Sequence, residues 1–209
     1  MKNNTLDPVV RDMRQIILSL AVSNYKAMDA YVRNELSLYG TVDGDISWQL
    51  KEAYDITHLA AVENFLPANE NILHDLPEDQ WEMEIKKAYR KADMYLEVCN
   101  VSKPTPRAPI QNETGDKKLS WNLIDTVLKT SVLLYKQTEK YQKYYRTHRL
   151  LPEKATETTL TGILKTDMIN NAFIPALVYL RRKNGDTTRE KTSEEDAIAL
   201  LNDMGLKVF

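Results

Sequence analysis

Apolar residues recur at Val9, Met13, Ile16, Ile17, Leu20, Ala21, Met28, Tyr31, Val32 and Leu36. Intervals of three and four put such residues on one helical face, which predicts a helix over about 8–39. Asp7-Pro8 marks its start: the carboxylate accepts from an orphan amide, and proline lacks only an N–H that has no partner there. Gly40 supplies the left-handed turn at its end. A second helix is expected over about 46–66, capped by Asp45 or Ser47, with Leu50, Tyr54, Leu59, Val62 and Phe65 inward and Pro67 as its stop. A third starts near Pro77. Its apolar residues Trp81, Ile85, Ala88, Ala92, Tyr95 and Cys99 form a short heptad seam, suited to packing against other helices or a partner subunit.

Asp116 to Leu151 is the longest stretch free of glycine and proline, and it reads as one helix. Its apolar face is Leu119, Ile124, Val127, Leu128, Leu134 and Tyr135, then Tyr141 and Tyr145. A further helical pattern runs from Leu160 to Ala172, where Pro175 is expected to break or kink it. Residues 176–183 lead into Asn184-Gly185, a strong two-residue hairpin signal with 186–191 as the return strand. The rival is a helix through 183 with Gly185 as its cap. Ser193 then starts a short helix with Ala197, Ile198, Leu200 and Leu201 inward and Gly205 at its end, and 206–209 is read as a final strand. The fold class expected is mainly α: a bundle of four to five long helices with a small C-terminal hairpin or α+β element. The units expected are an acidic three-helix domain at 1–100, a Pro-rich linker at 101–115, a long basic helix plus a shorter one at 116–175, and the small element at 176–209.

Composition narrows the class. The 209 residues are 43% hydrophobic and 28% charged, as in ordinary globular proteins. No apolar run reaches membrane-spanning length, and charges at Asp7, Arg11, Asp12 and Arg14 exclude a signal-peptide core. The single cysteine, Cys99, excludes an internal disulfide and a cysteine-based zinc site. An intracellular protein, or a virion component, is the expectation. The net charge of −2 conceals an asymmetry: residues 1–102 carry 10 Lys+Arg against 17 Asp+Glu, residues 103–209 carry 18 against 13. Opposite halves can attract each other, stack acidic face on basic face in an assembly, or bring the second half to nucleic acid.

Candidate chemistry is sparse. Asp43-Gly44-Asp45 lacks the spaced acids and closing glutamate of a calcium loop, and no glycine-rich phosphate loop or nucleophile motif occurs. Asp55 and His58 have the carboxylate-x-x-His spacing of ferritin-like di-iron helices, but there is no second copy. His74-Asp75 resembles the metal-binding pair of HD-type phosphohydrolases, an all-helical family. The resemblance spans about seven residues and implies a divalent metal, with His58 and Asp93 as the ligands to complete it. The clearest cluster is basic and aromatic: Lys136, Lys140, Tyr141, Lys143, Tyr144, Tyr145, Arg146 and Arg149, with Arg181, Arg182 and Lys183 near the expected hairpin. Cations along phosphates and aromatic faces under bases hold single-stranded nucleic acid, but tyrosines at such spacing also build protein interfaces.

The function expected is therefore non-enzymatic and without cofactor: a helical interaction or assembly subunit with protein partners, forming a homo-oligomer or part of a multi-subunit complex. A viral or phage ring or connector subunit is one concrete form. The alternatives are a nucleic-acid binder using the basic tyrosine helix and an HD-like metal-dependent phosphohydrolase.

Overall fold

A computed structural model describes residues 6–66, 77–105, 117–148, 160–184 and 193–207. Six helices occur among them: α1 Leu6–Tyr39, α2 Gly44–Phe65, α3 Glu78–Val98, α4 Lys117–Thr147, α5 Leu160–Lys183 and α6 Glu194–Asp203. No strand occurs among the described residues.

α1 packs on α2 and α4, α2 on α5, and α5 on α4, so four helices close a ring of contacts around one core. α3 leans on α2, and α6 on α5. α1 serves two neighbours, and its buried face is correspondingly wide: Val10, Ile17, Leu18, Ala21, Val22, Tyr25, Met28, Tyr31, Val32 and Leu36. Val9 and Ile16, expected inside, lie at the edge of that face and are exposed. On α2, Leu50 and Val62 are buried as expected. Ile56 and the small residues Ala53, Ala60 and Ala61 fill most of its interface, leaving Tyr54, Leu59 and Phe65 half-buried. In α3, Ala88 and Ala92 are buried with Leu96, which the heptad seam omitted. The side chains of Trp81 and Leu119 lie outside the described residues. The remaining α4 positions expected inward, from Ile124 to Tyr145, are all buried.

Each neighbouring pair in the ring also shares a polar contact. Ser131 of α4 donates to Asn24 Oδ1 of α1 at 3.0 Å. Thr57 of α2 donates to the Ala21 carbonyl of α1 at 3.1 Å. Gln49 of α2 donates to the Asn170 carbonyl of α5 at 2.9 Å. Thr138 of α4 meets the Met168 sulfur of α5 at 3.5 Å. Thr57 and Thr138 also donate within their own helices, to the Ala53 and Leu134 carbonyls at 2.6 and 3.0 Å, so the register is fixed chiefly by Ser131–Asn24 and Gln49, whose stranding would cost about 1–3 kcal/mol each.

The helix ends follow from local chemistry. Asp43, rather than Asp45 or Ser47, caps α2 by accepting from the Asp45 amide. Gly40 has φ +70° directly after α1, as expected. α3 closes through Asn100 at φ 55°: the Asn100 and Val101 amides donate back to Glu97 and Leu96. Ser193 and Asp196 form a reciprocal cap at the start of α6, and Gly205, at φ +81°, ends it.

The C-terminal hairpin is corrected by the structure. Residues 176–183 are helical, continuing α5 through Pro175. The buried stripe Leu164, Met168, Ala172 and Ala176 keeps helical period across the proline, and this packing outweighs the lost Asn171–Pro175 backbone bond. Gln49 donates to the adjacent Asn170 carbonyl, supplying polar contact beside the gap. The Asn-Gly turn signal therefore loses to burial. The return strand at 186–191 lies outside the described residues. Leu206 is not in a strand; it is buried, and its amide closes the end of α6 on the Leu201 carbonyl.

Candidate interaction surface

The basic tyrosine stretch of α4 divides into two faces. Tyr141 and Tyr145 are each 1% exposed, with ring centroids 4.6 Å apart in an edge-on arrangement. Both hydroxyls point at Arg14 of α1. Arg14 Nε donates to the Tyr141 hydroxyl at 3.1 Å, one terminal nitrogen to the Tyr145 hydroxyl at 3.4 Å, and the other to the Leu66 carbonyl at 3.0 Å. The Tyr141 hydroxyl in turn donates to Glu63 Oε1 of α2 at 3.1 Å. Burial opposes the Arg14 charge, but Tyr141, Glu63 and Tyr145 more than compensate, so its pKa is raised. Tyr141 is pushed well above the usual tyrosine range, first by burial and then by Glu63, with Arg14 acting against them. The cluster thus ties α1, α2 and α4 together at one end of the ring. Buried rings cannot stack under bases.

The outer face of this stretch is cationic, with Lys140, Lys143 and Arg146 exposed. Tyr144 is half-buried against His148, ring centroids 4.1 Å apart. Lys136 instead donates to the Met204 carbonyl at 2.6 Å, joining α4 to the end of α6. Arg149 lies outside the described residues.

The second basic group belongs to the far end of α1. Arg182 binds Glu35 at 2.7 Å and lies over the Tyr31 ring, 5.4 Å from its centroid. Glu35 is 6% exposed and Tyr31 2%. Burial raises the Tyr31 pKa, aided by Glu35 and opposed by Arg182. Arg181 is half-buried, and the Lys183 ammonium sits 6.0 Å from the Tyr179 ring centroid. Arg182 is therefore half-buried, with its charge turned onto the buried Glu35.

The metal candidates are partly placed. His58 Nε2 meets Asp93 Oδ1 at 2.9 Å, joining α2 to α3, and the His58 ring stacks on Tyr54 and leans on Tyr89. His74 and Asp75 lie outside the described residues. Among the described residues, no group of three His, Cys, Asp or Glu side chains is placed to hold a metal ion.

An acidic trio, Glu52, Asp55 and Asp167, lies between α2 and α5. The pKa of Asp167 is raised by burial and then by Asp55; that of Glu52 is raised by burial, then by Asp167 and Asp55. An acid raised in the folded state binds its proton more tightly than in the unfolded chain. It therefore opposes folding at neutral pH, and the effect fades as pH falls through the folded value toward the ordinary one. Asp167→Asn should stabilise the protein at pH 7 by about 0.5 kcal/mol, kept small by solvent screening. Thermal melts at pH 7 and pH 4 check this: the gain should shrink at pH 4.

Recesses on the described surface include two larger ones. One of about 500 Å³, lined by Val32, Leu36, Val42 and Leu50, ends on Pro104 and Thr105. The other, of about 370 Å³, runs between α1 and α4 and is lined by Gln15, Ile16, Ser19, Leu20, Leu133 and Gln137. It holds no charged side chain, although 28% of the chain is charged, and Ile16 and Leu133 are 45% and 50% exposed. Sequence reasoning missed this surface because it assigned Ile16 to the interior and passed over Leu133. The signal available was the run without charge from Gln15 to Tyr25.

No helix among the described residues is long and apolar enough to cross a membrane. The chain matches no protein-family model, no curated protein and no solved structure.

Proposed function

We propose that this protein is a non-enzymatic helical assembly subunit, held to its partners through the outer face of α1 and α4. The observation that carries this reading is the uncharged recess lined by Ile16, Leu20 and Leu133. Charge depletion around exposed apolar side chains is the compositional mark of an interface centre. The burial of Tyr141 and Tyr145 counts against the nucleic-acid alternative by removing two aromatic platforms. For the hydrolase alternative, His58 and Asp93 form a pair that also serves to join α2 to α3. A ring or connector subunit of a virion is one form this assembly takes in our reading.

The test is Ile16→Glu with Leu133→Glu. Both sites are exposed, so the fold should survive, as circular dichroism will report. The native chain should sediment as a larger defined species and the variant as a monomer. An unchanged sedimentation coefficient in the variant would remove this face from the assembly.

A further inference from the structure

The outer edge of α1 carries its own periodic pattern, distinct from the buried one. Asp12, Ile16, Ser19, Ser23 and Lys26 are all exposed, at intervals of four, three, four and three. This is the spacing of a seam that meets another helix along its length. Its centre is small, and the Ser23 hydroxyl is already satisfied. Ser23 donates to the Ser19 carbonyl at 2.9 Å, and on the neighbouring helix Thr126 and Thr130 donate to the Asn122 and Thr126 carbonyls at 2.8 and 2.7 Å. Covering this face therefore strands none of these hydroxyl donors.

The charges are placed symmetrically. Asp12 and Lys26 stand seven residues to either side of Ser19, about 10 Å along the axis in each direction. Neither has an ion-pair partner among the described residues, whereas Arg33 is held by Asp29 and Lys129 by Asp125 within their own helices.

We infer that this face takes a second copy of the same chain, with α1 crossing α1 antiparallel about a two-fold axis at Ser19, so that Asp12 of each copy pairs with Lys26 of the other. A two-fold interface is self-complementary: what one copy offers at one end it must accept at the other. Asp12 and Lys26 satisfy that condition only in the antiparallel arrangement. A parallel one sets Asp12 against Asp12 and Lys26 against Lys26. The same two-fold sets the projecting Ile16, three residues from the axis, one residue short of the small Ser23, four residues from it on the other side, and Ser19 against its own copy.

This inference rests on the assembly reading, and charge reversal with cross-linking separates the two. Asp12→Lys should weaken self-association about tenfold in sedimentation velocity, since both symmetry-related pairs become repulsive. Asp12→Lys with Lys26→Asp should restore it. In a Cys99→Ser background, Ser19→Cys should oxidise to a disulfide-linked dimer because the two thiols face each other across the axis, while Thr166→Cys on exposed α5 should not. If the double reversal fails to restore association, or Ser19→Cys does not cross-link, the two-fold arrangement is wrong. Should Ile16→Glu with Leu133→Glu still dissociate the assembly in that case, the face stands and only its self-pairing falls. A native chain that stays monomeric at every concentration overturns both.

Discussion

Arg14→Met should destabilise the fold by about 3–5 kcal/mol, the range for breaking a buried charge network by removing one partner. Arg14 is 4% exposed, and its guanidinium serves the Tyr141 and Tyr145 hydroxyls and the Leu66 carbonyl. Without it, Glu63, 6% exposed, keeps the Tyr141 hydroxyl but loses the nearby positive charge. Urea unfolding followed by circular dichroism measures the loss. Tyr145→Phe removes the 3.4 Å contact to Arg14 and should cost about 1 kcal/mol. Exchanging Arg14, Glu63 and Tyr141 together for apolar residues of similar size should recover much of the deficit, because no charge then remains buried. A loss below about 1 kcal/mol in Arg14→Met would show that the network is not the clamp proposed for this end of the ring.

Arg182→Leu should cost about 3 kcal/mol for the same reason at the opposite end. It leaves Glu35 buried with no cation in contact and removes the guanidinium from the Tyr31 ring. Arg182→Lys keeps the charge but not the planar fork, so its loss should fall in between. The comparison is informative because the sequence alone presents Arg181, Arg182 and Lys183 as one surface group. A surface arginine would change stability by no more than about 0.5 kcal/mol. Lys183→Leu, at an exposed position, supplies that reference in the same unfolding experiment.

These two clusters show where sequence reading succeeds and where it stops. Helix positions are legible because periodicity, caps and breakers agree: Gly40, Ser193 and Gly205 do what their chemistry predicts. The apolar face of α4 is legible for the same reason. Arg14 and Glu35 were legible in principle, since each interrupts an apolar stripe: Val10, Arg14, Ile17 and Leu18 in one case, Tyr31, Val32, Glu35 and Leu36 in the other. What periodicity does not supply is the partner. Arg14 is 127 residues from Tyr141, and the Glu35–Arg182 pair spans α1 and α5. Tyr141 and Tyr145 were read both as part of the apolar face and as part of the basic interface cluster; they are buried, while Lys140, Lys143 and Arg146 point out. The hairpin failed because a local turn signal was weighed without the buried stripe that carries α5 through Pro175.

The outer face of α1 was illegible for a related reason. A helix between two neighbours has a broad buried face, and residues such as Val9 and Ile16 at its margin fit the interior pattern as well as an interface. Only the structure separates the two stripes. One turns Arg14, Ile17 and Ala21 into the core, and the other leaves Asp12, Ile16, Ser19, Ser23 and Lys26 outside.

The central claim is that the chain assembles through this face. Size-exclusion chromatography with light scattering on the unmodified protein, at low and high salt and with absorbance at 260 and 280 nm, tests it most directly. The account predicts a defined oligomer that persists at high salt, because its centre is apolar, and carries no nucleic acid. A monomer at all concentrations, or one that elutes with nucleic acid at low salt and sheds it at high salt, would contradict the account and return attention to Lys140, Lys143 and Arg146.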